Sequence, residues 1–292
     1  HPDGYSSTDN YLRDRTTRSL DARMTSNDTS LLFNGTTHWI AGAYILDSTE
    51  DLRRIYTWLD DDFRSRYDFT TSALYGQFDS RIATDLYLAT GIRFERRQAH
   101  YADNVGIPND PTETMWGGEA VLRYTPSSRW LTYAGVSRGY KAGGFNSVGA
   151  EDADLGPFAS EFLWAFETGV KTTSADGQLQ LRAALFYVAR RDQQVKTFIT
   201  RTRPNGSTEF VELIGNAARG TNMGVEVEAN WSLSDNLSLF AGVGILRAKF
   251  DEYTNEFDED LGGRDQAHAP TYMFSTGVDY VDGHWFGRVS AD

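Results

Sequence analysis

The sequence contains no cysteine, which excludes both a disulfide framework and a thiolate metal site. Positive charge is also scarce, because 28 Lys and Arg residues stand against 41 Asp and Glu residues, for a net charge of −13. A nucleic-acid interface must neutralise phosphates, so this balance argues against nucleic acid as a partner. The five histidines lack the paired spacing of zinc ligands, and no cofactor or resident metal is expected.

Long hydrophobic runs are missing as well. No segment approaches the roughly 20 consecutive apolar residues of a membrane-spanning helix, and the mean hydropathy is −0.49. Hydropathy alone would therefore indicate a soluble protein. A membrane β-barrel, however, places apolar residues only at every second position of each strand, so its mean hydropathy stays low. The spacing of the apolar residues must decide between these classes.

Apolar and polar residues alternate in several segments, as expected for strands with one apolar face. Residues 85–95, 178–189, 225–231, 237–246 and 272–280 show this pattern. Four of the five run for roughly 9–12 residues, which exceeds the usual strand of about 5–6 residues and suits a tilted bilayer crossing. Charges within or beside such segments are expected to face a polar lumen; examples are Glu167, Lys171, Glu226 and Glu228.

Short and long connections alternate along the chain. Turn-forming residues occupy positions 126–128, 174–177, 234–236 and 282–283, whereas long polar stretches cover 48–68, 97–115, 140–161, 190–219 and 249–270. Membrane barrels have short periplasmic turns and long outward loops. We therefore predict an all-β fold, an antiparallel transmembrane β-barrel meander of about twelve strands. The alternative is a soluble propeller or sandwich, which predicts strands of about six residues.

One short motif suggests catalysis. Residues 135–139 match the G-x-S-x-G pattern of a nucleophile elbow, with Ser137 as the nucleophile and Asp260, His268 and His284 downstream in the required order. Such an elbow needs a sharp turn from a strand into a helix, and the residues that follow do not begin a helix. A barrel hydrolase that uses Ser137 is kept as an alternative, but we expect no enzyme.

Residues 137–146 (SRGYKAGGFN) strongly resemble the barrel signature of TonB-dependent outer-membrane receptors. Three later stretches are similar to barrel strands of that family, in the family's order: residues 166–172 (FETGVKT), residues 224–228 (GVEVE), and residues 269–272 (APTY) followed by residues 276–280 (TGVDY). The resemblance extends from about Thr36 to the end of the chain. It implies a 22-stranded barrel in the Gram-negative outer membrane that imports ferric siderophores, haem or cobalamin with energy from TonB.

The same resemblance suggests that the chain is a fragment. Nothing in residues 1–34 resembles the family's plug domain or its TonB-contacting segment, and residues 291–292 lack the usual terminal aromatic residue. About twelve crossings cannot close a 22-stranded barrel, and an open sheet would leave unpaired backbone groups in lipid. We therefore expect residues 1–292 to be a barrel fragment, with the plug and the closing strands outside it and TonB contacted through a missing N-terminal region.

The leading hypothesis is an outer-membrane nutrient receptor that contacts lipid and imports a small-molecule ligand such as a ferric siderophore; a passive porin or an adhesin is a further alternative. Aromatic and hydrogen-bonding side chains near the long loops are candidate ligand contacts, and cations there could attract an anionic ligand despite the negative net charge. These candidates are Tyr101, Trp116, Arg138, Tyr140, Lys141, Phe145 and Asn146. The glycine-rich segment 139–144 has a second interpretation, in which it only shapes the barrel rim.

Overall fold

The computed structural model describes residues 8–57, 61–106, 108–146, 156–202, 206, 208–255 and 259–292. Within these ranges the chain forms fourteen β-strands. None of the described residues belongs to a helix long and apolar enough to cross a membrane. Twelve strands form one sheet, and the remaining two form a small hairpin.

The twelve strands of the large sheet are mostly longer than those of an ordinary soluble domain. Their bounds are β1 (Asp9–Thr25), β2 (Thr37–Tyr56), β3 (Phe63–Ala83), β4 (Leu86–Asp103), β5 (Thr112–Ser127), β6 (Trp130–Lys141), β9 (Glu161–Thr173), β10 (Leu179–Thr202), β11 (Thr208–Ser232), β12 (Leu237–Tyr253), β13 (Tyr272–Asp282) and β14 (Trp285–Ala291). The hairpin consists of β7 (Gly144–Phe145) and β8 (Pro157–Phe158).

The large sheet is a meander in which each strand pairs antiparallel with its neighbour. The hairpin is inserted between β6 and β9, which pair directly with each other. This arrangement confirms the prediction of about twelve antiparallel strands. The strand lengths and the meander do not fit the soluble propeller or sandwich.

The four predicted tight turns connect β5 to β6, β9 to β10, β11 to β12 and β13 to β14. Gly177 and Gly283 have positive φ values in two of these turns, as their sequences indicate. The turn between β3 and β4 was not predicted. It contains Asp85 at φ 57°. Aspartate adopts this left-handed conformation more readily than most residues, but an aspartate in a sequence indicates a turn less clearly than a glycine does.

The predicted long loops are shorter than expected, because strands occupy much of them. Segments 48–68 and 190–219 consist mainly of the ends of β2, β3, β10 and β11, which continue well past the apolar part of the sheet. Both faces of a strand can be polar once the strand has left the lipid, so the alternating pattern ends while the backbone pairing continues. Between β6 and β9, by contrast, the predicted long connection is retained.

The sheet has one apolar and one polar face, here called the outer and the inner face. On the outer face polar residues replace the apolar ones toward the loop end of four neighbouring strands, one paired position later on β1 and β2 than on β3 and β4. The change falls between Leu20 and Arg18 on β1, Ile45 and Asp47 on β2, Leu74 and Ser72 on β3, and Phe94 and Arg96 on β4. This edge marks the loop-side limit of the lipid-facing band.

The inner face is polar and better shielded. Ion pairs link strands there: Arg13 of β1 pairs with Glu50 of β2, and Arg123 of β5 reaches across β4 to Asp79 of β3. The buried side chains Ser48, Leu52, Ala73, Tyr101 and Met115 share this face. The sheet therefore curls toward its polar side, as the wall of a barrel with a polar lumen does. Glu167, Lys171, Glu226 and Glu228 lie on the inner face, as predicted.

Candidate ligand-binding face

An open pocket of about 510 Å³ lies on the inner face and extends from β1 to β9, with Arg93 and Tyr140 among its lining residues. Arg93 donates to Glu95, with 2.6 Å between Nη2 and Oε2, and its Nε lies 3.1 Å from the Tyr140 hydroxyl. That hydroxyl donates to Glu95 over 3.0 Å. Arg93, Glu95 and Tyr140 are called the inner triad below.

Tyrosine rings surround the guanidinium of the inner triad. The Arg93 guanidinium carbon lies 5.2 Å from the ring centroid of Tyr44 and 5.9 Å from that of Tyr75. Tyr75 in turn donates to Asp21 over 2.7 Å. Its ring lies flat over Gly42, where any Cβ atom would overlap the ring. The cluster thus combines a cation, carboxylates and phenol hydroxyls on one wall.

A second arginine lies further toward the loops on the same face of β4. Arg97 is four residues beyond Arg93, about 13 Å along the strand. Its Nη2 donates to the Tyr67 hydroxyl over 2.8 Å and its Nη1 to the Gly143 carbonyl over 2.9 Å. Its guanidinium also stacks on Phe69 at 4.2 Å. In the described part of the chain Arg97 has no carboxylate within ion-pair distance, and its Nε has no hydrogen-bond partner.

The connection between β6 and β9 folds across the inner face above these arginines. Its described residues, 142–146 and 156–160, are called the strap. Glu113 accepts hydrogen bonds from the Gly143 amide at 3.1 Å and from the Ser160 hydroxyl. On the other side, the amide of Gln194 donates to the carbonyls of Ala142 and Ala159 over 2.9 and 3.0 Å. The strap therefore joins β4 and β5 to β10.

Aromatic stacking anchors the strap to the wall. The ring of Phe145 stacks on Tyr101, with 4.8 Å between centroids and 7° between planes, and meets the edge of Tyr67 at 6.0 Å. Tyr101 is 3% exposed, and its hydroxyl donates to Asp103 over 2.9 Å. Burial is the main cause that raises the pKa of Tyr101 above its ordinary value.

Asn146 fixes the strap to β11. Its side-chain nitrogen donates to the Ile214 carbonyl over 2.8 Å, and its side-chain oxygen accepts from the Ile214 amide at 2.7 Å. A side-chain amide that bonds both the N–H and the C=O of one residue imitates the backbone pairing of a neighbouring strand. The glycine at position 143 is equally constrained, because a Cβ atom there would collide with the Phe158 carbonyl.

The structure separates the seven predicted ligand contacts into four groups. Tyr140 belongs to the inner triad, whereas Tyr101, Phe145 and Asn146 anchor the strap. Lys141 is exposed at the end of β6. The structure therefore brings four of the seven onto the inner wall and strap, and it gives three of those four a packing role.

Trp116 and Arg138 lie on the outer face, away from the inner triad. The Arg138 guanidinium stacks between the rings of Trp116 at 4.2 Å and Phe162 at 4.5 Å, and it donates to the Trp116 carbonyl. Trp116 also meets Trp164 edge-on at 6.0 Å. This geometry is typical of the aromatic girdle of a barrel. Arg138 also lines the inner-face pocket together with Tyr140, so the seven-residue ligand site stays a prediction.

Several inner-face residues were missed by the sequence analysis, above all Arg93, Glu95, Arg97, Asp21 and Tyr75. Three of them could have been found. Arg93, Glu95 and Arg97 occupy the odd positions of β4, on the face opposite the even-numbered apolar residues of the alternating segment 85–95. Asp21 and Tyr75 could not be found in this way, because they lie on other strands, β1 and β3, and only the pairing of the strands brings them next to Arg93.

Ser137 does not occupy a nucleophile elbow. It lies within β6, paired with Glu119 on one side and Ala165 on the other, so the strand-to-helix turn of such an elbow is not formed there. His268 lies in the connection after β12, at the loop end of the sheet, while His284 lies in the tight turn at the opposite end. These positions do not support the hydrolase alternative. Among the described residues, no cluster of three or more His, Asp or Glu side chains is arranged to hold a metal ion.

Comparison with known proteins agrees with this architecture. The pesticin receptor of Yersinia pestis is 25% identical over 256 residues, which cover 84% of this chain and 36% of that receptor. The crystal structure of the ferric yersiniabactin uptake receptor FyuA from Yersinia pestis has a TM-score of 0.72 at 22% identity, covering 98% of this chain and 44% of that chain. The ferric citrate transporter FecA has a TM-score of 0.69 at 17% identity, covering 97% of this chain and 42% of that chain. The present chain thus spans less than half of each relative.

The model of the family described as TonB dependent receptor-like, beta-barrel, matches residues 1–291. The resemblance had been expected to start at about Thr36, which was wrong, because the match includes β1 and its antiparallel pairing with β2. On β1 the alternation is weak, since charged residues are frequent on both of its faces. Because the family model covers nearly the whole chain, and the solved barrels share its antiparallel meander, the protein belongs to the family of TonB-dependent receptors as part of their β-barrel.

Proposed function

We propose that this chain is the barrel portion of an outer-membrane receptor that imports a ferric siderophore or a similar metal complex with energy from TonB. The family and the names of two relatives, a ferric yersiniabactin uptake receptor and a ferric citrate transporter, support this function. The plug and the segment that contacts TonB belong to parts of the receptor outside residues 1–292. The outer face supplies the contact with membrane lipid.

The observation that carries the proposal is the inner triad with its surrounding tyrosines. A passage for a polar metal complex needs hydrogen-bonding groups on a concave wall, and these residues provide a guanidinium, two carboxylates and several phenol hydroxyls. Arg97 adds a positive charge that no described carboxylate pairs with. Its local potential favours an anionic complex, although the whole chain is acidic.

The candidate residues have different roles in this proposal. Tyr140 and Arg93 contact the ligand directly. Tyr101, Phe145 and Asn146 hold the strap in place at the mouth, while Lys141 contributes positive charge at its exposed edge. Trp116 and Arg138 position the barrel in the membrane and are not assigned a ligand contact.

The test is uptake of radioactive iron, supplied as a ferric siderophore, by cells whose only receptor for it is the full-length protein. Tyr140→Phe removes one hydroxyl that bridges Arg93 and Glu95, and it should weaken ligand binding by about 3- to 10-fold, the usual value of one hydrogen bond. Tyr187→Phe is the matched control, because Tyr187 lies on the outer face. Equal uptake by both variants and the wild type would remove Tyr140 from the ligand site.

A strain without TonB distinguishes an energised receptor from a passive pore. We expect uptake through the wild-type receptor to fall to background in that strain. Uptake that continues unchanged without TonB would contradict the proposed function and favour a porin. Surface expression must be measured in every strain, so that loss of uptake is not confused with loss of protein.

A further inference from the structure

Two opposite charges on neighbouring strands of the inner face are opposed without bonding. Arg97 of β4 and Glu113 of β5 are directly paired in the sheet register. Opposed side chains on antiparallel strands have Cβ atoms only about 5 Å apart, so an arginine and a glutamate there can form an ion pair without backbone movement. Arg182 and Glu228, which are directly paired in the same way on β10 and β11, do form one, with 3.5 Å between their charged groups. The separation of Arg97 from Glu113 therefore needs a cause.

The docked strap is that cause, because Gly143 bonds to both charges. Arg97 Nη1 donates to the Gly143 carbonyl over 2.9 Å, and the Gly143 amide donates to Glu113 over 3.1 Å. The Ser160 hydroxyl, at the other end of the strap, also donates to Glu113. Glycine permits this close approach, since a Cβ atom at position 143 would lie only 2.7 Å from Oε1 of Glu113. Each charge thus bonds to the strap instead of to the opposite charge.

Lifting the strap would remove these partners from both charges. Arg97 and Glu113 are half-buried, so a charge left without a partner there costs more free energy than one in open solvent. The two groups can avoid that cost by bonding to each other, because the register already places them opposite. The Tyr67 hydroxyl, which accepts from Arg97 over 2.8 Å, belongs to β3 and can hold the guanidinium whether the strap is docked or lifted.

We propose that Arg97 and Glu113 form a latch that exchanges partners when the strap lifts. In the docked arrangement each side chain bonds to Gly143; in the lifted arrangement the two side chains bond to each other. The ion pair then replaces the bonds that lifting breaks, so the strap opens at a lower free energy than two independent anchors would allow. The strap is thus a lid over the inner face with two defined arrangements, and this property does not depend on the identity of the ligand.

Hydrogen exchange of the purified full-length receptor in detergent, without siderophore, measures how often the strap lifts. The first reporter is the Ala159 amide, which donates to the Asn216 side chain on β11. The second is the Ile214 amide of β11, which donates to the Asn146 side chain on the strap. Both bonds join the strap to β11, and neither includes a residue of the latch. A change in the latch therefore alters these two amides only through docking of the strap.

The variants are Arg97→Gln, Glu113→Gln and the two changes together. Each single change removes a bond from the docked strap and the ion pair from the lifted one, whereas the double change removes both docked bonds but the ion pair only once. Exchange in the double variant should therefore be accelerated by about 3- to 5-fold more than the product of the two single accelerations, the value of one partly exposed ion pair. Arg182→Gln with Glu228→Gln is the matched control and should leave both reporters unchanged.

Two results would overturn the latch. Independent anchors would give an acceleration equal to the product of the single effects, and anchors that support each other would give a smaller one. The second measurement is salt dependence: about 1 M salt weakens an ion pair more than bonds to backbone groups, so strap exchange should slow by about twofold in the wild type relative to the double variant. Equal salt dependence in these two proteins would also contradict partner exchange. Iron uptake and its dependence on TonB are measured separately, so failure of the latch leaves the proposed function untouched.

Discussion

Phe145→Ala tests whether the strap is held by the aromatic contact that the structure shows. The change removes a half-buried ring that stacks on Tyr101 at 4.8 Å and meets Tyr67 at 6.0 Å. The lost burial is worth about 1–2 kcal/mol for a partly buried phenylalanine, and the aromatic pairing adds about 0.5–1.5 kcal/mol. The strap should therefore be destabilised by about 2–3 kcal/mol, and its opening should become about 30- to 150-fold more frequent.

Hydrogen exchange of the strap amides measures this opening. The Gly143 amide donates to Glu113 and the Asn146 amide to the Gly156 carbonyl, so both should be protected while the strap is docked. Phe145→Ala should accelerate their exchange without affecting amides at the centre of β4 and β5. Phe274→Ala, on the outer face, is the matched control and should change neither strap amide. Unchanged protection of Gly143 and Asn146 in the Phe145 variant would refute the anchoring role of the ring.

Two further predictions concern the outer face and the acidity of the anchor. Val243 is 52% exposed on the outer face, so Val243→Arg should cost about 2–4 kcal/mol in urea unfolding from lipid vesicles; unchanged stability would contradict the assigned orientation. The pKa of Tyr101 is raised when the strap is docked, so docking favours the neutral phenol. The stabilisation that Tyr101 gives to the docked strap is therefore complete below the ordinary tyrosine pKa of about 10. It is lost as the pH rises from there through the higher pKa of the docked state. Strap exchange should therefore accelerate above about pH 10, and Tyr101→Phe should abolish that acceleration; an identical pH profile in both proteins would count against it.

The alternation of apolar residues directly predicted five of the twelve strands, β4, β10, β11, β12 and β13, and the spacing of the turns supplied the count of the others. On β4, for example, Ile92 and Phe94 on one parity and Arg93 and Glu95 on the other specify which face meets lipid, and strand pairing then extends that assignment to the neighbours. The ends of β10 and β11 were missed, because strands outside the lipid need no apolar face and leave no periodic signal.

The candidate site was predicted less well, for two physical reasons. Arg138 was assigned to the ligand site on account of the motif around it, and Trp116 because it follows the long polar stretch 97–115. Arg138 has the same parity as Val136 and Ala134, which face outward. Tyr140 shares that parity, yet its hydroxyl bonds to Arg93 and Glu95 on the inner face, so parity alone does not predict side-chain placement at the end of β6. The contacts of the strap, by contrast, could not be predicted. The connection between β6 and β9 has no periodic pattern, so its sequence does not indicate which strands of the folded sheet it contacts.

The strap has a consequence for the order in which the barrel is built. Pairing of successive strands is local in sequence, whereas the strap bonds Arg97 to Gly143 across 46 residues and Asn146 to Ile214 across 68 residues. Closing such long chain segments costs entropy that must be met by surfaces already in place. The strap can therefore complete its contacts only after β11 has joined the sheet. Its protection should appear later in refolding than that of β4 and β5, which makes the mouth of the barrel the last part of this segment to mature.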